Sequence, residues 1–213
     1  MDIVSNLQDK YGINNPIFID EIRLMFNNYS KIRVAQLIQE SIASGKLARF
    51  ENGIYYIPSK TIFGISTLST IKVIEKKYIK KDEEVYGFYS GISFINNIGL
   101  TTQVPNTYEI MTNKESTRVR KVKTKNQELV LRKSRVKITK DNYITLQFLE
   151  FINSTCIEFL LNNKEKISKY YFNNVDKNQV IKYMTEYPSK TIKNLYSLEL
   201  LWDYIKIKNC FLK

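Results

Sequence analysis

The sequence predicts an α+β protein: an N-terminal winged helix-turn-helix followed by a mixed α/β C-terminal domain that ends in helices. Three observations predict it. A one-sided helix stops at a glycine and enters a tight hairpin between residues 30 and 58. A second, strongly basic hairpin lies between residues 114 and 140. Helical apolar spacing then runs from residue 142 onward.

The first stretch organises the N-terminal half. Val34, Leu37, Ile38 and Ile42 recur at the spacing of a helix with one apolar face. Ser30 is placed to cap its first turn, because a hydroxyl accepts one of the orphan backbone N–H groups there. Gly45 is placed to stop it, since glycine enters the left-handed conformation without a steric cost. Residues 47–50 and 54–57 are β-prone and flank Asn52-Gly53, the strongest short-range hairpin signal, in which both residues tolerate positive φ. Pro58 cannot donate to a ladder and closes the second strand.

Before this stretch, Ile3, Leu7 and Tyr11 predict a short helix over residues 2–11, and Gly12 to Pro16 a turn. A second helix is expected over 19–27, burying Ile19, Ile22 and Phe26, with Asp20 and Glu21 favourable at its positive N-terminal end. Three helices and a hairpin follow the order of a winged helix, with the third helix presented to a DNA groove. The same pattern also suits a small helical domain that binds protein.

After it, the sequence predicts a linker over 59–66 and a helix over 67–80 with Leu68, Ile71, Ile74 and Tyr78 on one side. A charged connection (80–84), an apolar run (85–89), a helix (92–98), a loop (99–105) and an edge strand (108–112) come next. The basic hairpin pairs 118–123 with 128–133 around Lys125-Asn126, anchored by Val119, Val122, Leu129 and Leu131. Helices are expected over 143–153, 155–162, 178–186 and 191–208, the last on the spacing of Leu195, Leu198, Leu201, Trp202 and Ile205. The expected domains are residues 1–58 and 59–213.

The net charge of +12 makes nucleic acid the first partner to consider, yet residues 1–58 hold six basic and six acidic residues. Between Lys114 and Lys140, eleven basic residues face two acidic ones, so that segment alone holds most of the excess. The DNA-binding candidates are Ser30, Lys31, Arg33, Gln36, Gln39, Lys46, Arg49 and Asn52. Lys31 and Arg33 are set to reach phosphates or base edges, Gln36 to pair with adenine, and Arg49 with Asn52 to act at the tip of the wing. The candidates for an anionic partner are Arg118, Arg120, Lys121, Lys123, Arg132 and Lys133. That partner is flanking DNA, RNA or an acidic protein surface.

Enzymatic chemistry has little to build on. The absence of histidine removes Ser-His-Asp and Cys-His catalysis and most zinc sites. Ser90-Gly91 has the reverse order of a nucleotidyltransferase turn and no paired carboxylates after it, and no Walker-type loop exists. The expectation is a non-enzyme with no cofactor and no metal. Cys156 and Cys210 read as reduced core residues, no apolar run approaches a membrane span, and Met1-Asp2 opens no signal peptide, so a cytoplasmic protein is expected.

Two segments carry a resemblance. Gly53-Ile54-Tyr55-Tyr56-Ile57-Pro58 is followed by Gly99-Leu100-Thr101-Thr102-Gln103-Val104-Pro105, and this pair resembles the AbiEi family of antitoxins from type IV toxin–antitoxin (abortive infection) systems, over roughly residues 1–150. The resemblance implies a winged helix that represses its own operon at inverted repeats in operator DNA. It also implies a C-terminal antitoxin domain and a cognate nucleotidyltransferase toxin, countered without a stable complex. The chain departs from the family at Ala35 and Gln36, where relatives tend to carry basic residues. Within the second segment, Pro105 is expected to fix the backbone before the strand, and Gln103 to satisfy polar groups of the loop.

Overall fold

A computed structural model describes residues 3–62 and 64–201. The fold is α+β, and the chain divides into two compact units that meet between Lys77 and Tyr78. The break expected after residue 58 therefore falls inside the first unit.

That unit runs α1 (Ile3–Tyr11), β1 (Ile17–Phe18), α2 (Ile19–Met25), α3 (Lys31–Ala43), β2 (Ala48–Glu51), β3 (Ile54–Tyr56), β4 (Lys60–Thr61), β5 (Gly64–Ile65) and α4 (Thr70–Tyr78). The three helices and hairpin appear as the spacing predicted, in an order compatible with a winged helix. Strand β1 is not expected from the sequence, because two residues are too few to show any alternation. It pairs antiparallel with β3, so the sheet order is β1-β3-β2 and β3 is central.

Central position explains why all three residues of β3 are buried. Tyr55 joins Ile17, Leu7, Ile22, Val34 and Ile38 in the core against α1, α2 and α3. Ile54 and Tyr56 point the other way and pack with Phe50, Leu68 and Val73. Segment 68–77 thus covers the second face of the sheet through Leu68 and Val73, which is why it belongs to this unit. Its helix turns slightly from the predicted face: Val73 and Ile74 are fully buried, whereas Ile71 is exposed.

An ion pair fastens α4 to α2. Lys76 Nζ lies 2.8 Å from Glu21 Oε2 and donates at 2.7 Å to the carbonyl of Pro16. The same carboxylate oxygen accepts the backbone N–H of Phe18 at 2.8 Å, capping α2. Glu21 is 7% exposed, so the dipole reading of Asp20-Glu21 understates it: its partner lies 55 residues away. Lys72 adds bonds to the Asn14 carbonyl and to Asn15.

The second unit contains β6 (Lys80–Lys81), β7 (Glu84–Val85), β8 (Gly87–Ser90), α5 (Gly91–Asn97), β9 (Thr107–Thr112), β10 (Val119–Thr124) and β11 (Gln127–Lys133). Helices α6 (Tyr143–Ser154), α7 (Ile157–Asn162), α8 (Lys164–Asn174), α9 (Lys177–Tyr183), a 3₁₀ turn (Met184–Glu186) and α10 (Ser189–Ser197) follow. Its sheet has the order β10-β11-β9-β8. The expected edge strand β9 is internal, antiparallel to β8 and parallel to β11, with Ile110, Met111 and Thr112 buried. Helix α8 was not predicted, because only Ile167 and Tyr171 mark its buried side. The core joins Phe88 and Met111 of the sheet to Phe94, Leu146, Phe148 and Phe151.

Cys156 is exposed, contrary to the expectation of a core residue. The predicted last helix is cut short: α10 ends at Ser197, and Glu199 takes a positive φ of 61°. Residues 202–208 of that prediction, with Trp202 and Ile205, lie outside the described residues, as does Cys210. Among the described residues no helix is long and apolar enough to cross a membrane.

Lys76→Met is expected to destabilise the protein by about 3–5 kcal/mol, because it removes a cation bonded directly to a buried carboxylate. Adding Glu21→Gln, which keeps an oxygen for the Phe18 N–H, is expected to recover most of that loss. Urea denaturation of the single and double variants measures both; a single-variant cost below about 1 kcal/mol would mark the pair as an ordinary surface bridge.

Candidate nucleic-acid interface

Helix α3 begins where the sequence places it: the N–H of Arg33 donates to Ser30 Oγ at 3.1 Å, and the chain leaves the helix through Gly45 at φ +70°. Val34, Ile38 and Ser41 are buried, and the Ser41 hydroxyl donates back to the Leu37 carbonyl at 2.7 Å. The opposite face is open. Ser30, Lys31, Arg33, Gln36, Gln39, Lys46, Arg49 and Asn52 are all exposed.

Three side chains on this face are joined. Arg33 Nη1 sits 3.4 Å from Gln36 Oε1 and 3.4 Å from Glu40 Oε1, with both charged groups about half in water. Such an exposed pair contributes little to stability, roughly 0–1 kcal/mol. Its consequence is electrostatic, because Glu40 offsets one of the two cations near the start of the helix. Ile32, which is not among the residues expected here, is 73% exposed on the same face. Its position four residues before Gln36, off the Val34–Ile38 stripe, was the available signal.

Across β2–β3, Arg49 pairs with Tyr55, and its guanidinium lies 5.7 Å from the tyrosine ring. The ladder slips between Arg49 and Glu51, so Phe50 turns inward. At the tip only Gly53 adopts positive φ (+77°); Asn52 does not, a correction to the turn expected from the Asn-Gly pair.

The basic hairpin forms in the predicted register, Arg120 opposite Leu131 and Val122 opposite Leu129. Leu129 and Leu131 are fully buried and Val122 partly so, but Val119 is 44% exposed and anchors nothing. Two of the six predicted cations work internally. Arg120 Nε donates at 2.7 Å to Glu115 Oε2, and Arg132 Nε at 3.2 Å to Glu109 Oε2. Each is thus shared with a carboxylate of its own unit, with its side chain still 40–49% exposed. Arg118, Lys121, Lys123 and Lys133 are exposed and make no ion pair among the described residues. Lys121 and Lys123 alternate onto one face of β10 and border a groove of about 590 Å³ with Thr107, Glu128 and Val130.

The Thr-Gln-Val-Pro loop is held differently from the expectation. Asn96 Nδ2 donates to the carbonyls of Thr101 and Gln103 at 3.2 Å, and the Gln103 N–H donates to Thr101 Oγ1. The Gln103 side chain is exposed and makes no hydrogen bond among the described residues. Ser90 is buried, and Gly91 turns directly into α5. No cluster of three or more metal-ligating side chains occurs among the described residues. Neither a family model nor a curated protein matches this chain.

Burial pushes the Glu115 carboxyl up, but hydrogen bonds from Arg120 and Thr117 outweigh it and hold the group at about 2, against an ordinary 4.5. A carboxyl lowered on folding contributes stability above its unfolded value and loses it as pH falls toward the folded one. Melting temperature is therefore expected to fall between about pH 4.5 and 2. Glu115→Gln is expected to flatten that part of the profile; thermal melts in this range check it, and equal slopes would remove Glu115 from the account.

Proposed function

We propose that this protein is a DNA-binding antitoxin and transcriptional autorepressor of a type IV toxin–antitoxin operon. Its N-terminal unit binds operator DNA at inverted repeats through α3 and the β2–β3 wing. Its C-terminal unit counters a nucleotidyltransferase toxin without a stable complex. It works in the cytoplasm, uses no cofactor and is not an enzyme. The observation that carries the reading is the open face of α3: a capped helix with Lys31, Arg33, Gln36 and Gln39 outward, followed by a short hairpin that carries Arg49. Phosphate contacts by such cations fix register, and base contacts supply sequence choice. The resemblance of residues 53–58 and 99–105 to AbiEi antitoxins supports the antitoxin half of the proposal.

A second reading, an interaction module for RNA or protein, is favoured by one observation: Lys121 and Lys123 bordering the hairpin groove without ion-pair partners among the described residues. Both readings use the hairpin, as the surface for antitoxin action in the first and as the whole function in the second.

Lys31→Ala with Arg33→Ala is expected to cost about 1–3 kcal/mol in operator binding and to flatten its salt dependence. Glu40→Gln, which releases Arg33, is expected to strengthen binding. Gel shifts on the promoter of the protein's own operon measure both, and unchanged affinity in the double variant rules out α3 as the DNA-binding helix. Arg49→Ala is expected to weaken operator and random DNA by similar factors.

For the hairpin, Lys121→Glu with Lys123→Glu leaves the Arg120–Glu115 pair intact. Toxin rescue lost with repression kept is the expected result; wild-type rescue removes the hairpin from antitoxin action. A nucleotidyltransferase reading frame beside the gene supports the first reading, and a solitary gene favours the second.

A further inference from the structure

The open face of α3 is less charged than phosphate contact alone requires. Ile32, Gln36, Gln39 and Ala43 follow one another at i, i+4, i+7 and i+11, a single stripe along the helix, with Ala35 beside it. Every one of these residues is exposed. Val34 and Ile38, the other β-branched residues in the middle of the helix, are 1% exposed, whereas Ile32 is 73% exposed. Packing within the unit gives no reason for an isoleucine at that position.

The stripe matches one kind of base edge. In the major groove a glutamine amide bonds adenine at N6 and N7, and an aliphatic side chain touches the C5 methyl of thymine. Guanine is read chiefly by arginine or lysine placed on the groove face. Both cations near the stripe lie off it. Lys31 precedes Ile32, and the Arg33 guanidinium is turned along the helix toward Glu40. The 3.4 Å contact from Arg33 to Gln36 is long and exposed, so it yields readily to a base.

We infer that α3 reads A·T base pairs, with Ile32 and Ala35 against thymine methyls, Gln36 and Gln39 on adenine edges, and Lys31 and Arg33 on the flanking phosphates. This rests on the DNA-binding reading above and adds the class of base that reading leaves open. It also accounts for Ala35 and Gln36, where the resemblance leads one to expect cations: a small side chain and an amide suit A·T pairs.

The test uses the full chain and a library of random-sequence duplexes, from which bound duplexes are selected and sequenced. The selected sites are expected to share A·T pairs. Replacing a contacted thymine by deoxyuridine removes only the C5 methyl and is expected to weaken binding about fourfold, the effect of one buried methyl-sized group. In Ile32→Ala the same replacement is expected to have no effect at the thymine that Ile32 touches. The variant changes an exposed side chain, and circular dichroism verifies that it folds.

Guanine at the shared positions overturns the inference, as does wild-type binding indifferent to uracil, or a full set of uracil effects that survives Ile32→Ala. Loss of self-association in Ile32→Ala by sedimentation, with DNA affinity unchanged, also overturns it and makes Ile32 a protein contact. Failure to select any duplex overturns the DNA-binding reading together with this one; selection of a site lacking these features overturns this inference alone.

Discussion

The burial of β3 on both faces is the constraint on which the N-terminal unit depends. A three-residue strand cannot hold a sheet by its own ladder, so its stability comes from what packs on either side. Tyr55 faces the three helices, and Ile54 and Tyr56 face segment 68–78. The Glu21–Lys76 pair sits at the seam, where the N-terminus of α2 meets α4. A buried pair of this kind stabilises little by itself, but neither charge can remain there alone. The β2–β3 hairpin is held at its tip as well, where the Ile19 N–H donates to the Gly53 carbonyl at 2.8 Å; on the proposed reading this keeps Arg49 at a fixed distance from α3.

Charge in this chain separates into two kinds that composition does not distinguish. Arg120 and Arg132 are tied to Glu115 and Glu109, and Lys140 to Glu83, so part of the basic excess is paired within the C-terminal unit. Lys121 and Lys123 lie on β10, one of the two outer strands of the sheet. Lysine on an outer strand discourages pairing with strands of other molecules. On the proposed reading the same residues also offer cations to an anionic partner. On α3 the balance is reversed: Glu40 partly offsets Arg33, and the middle of the open face is neutral. On the proposed reading, affinity comes from the cations at the margin and sequence choice from the uncharged stripe between them.

Sequence alone determined the features set by neighbours along the chain. The α3 cap at Ser30, its stop at Gly45, the two hairpins and the register of the basic one follow from local periodicity and turn chemistry, and all appear where predicted. The exposure of Lys31, Gln36 and Gln39 follows equally from the helical period, once Val34 and Ile38 are assigned inward. What only the tertiary structure decided depends on partners distant in sequence. Placing β9 inside the sheet required the parallel pairing with β11, and assigning residues 59–77 to the first unit required the second face of β3. Separating Arg120 and Arg132 from Lys121 and Lys123 required knowing which carboxylates lie within hydrogen-bonding reach. Periodicity states which way a side chain points; it carries no information on what stands opposite, because that is set by chain segments that meet only when the protein folds.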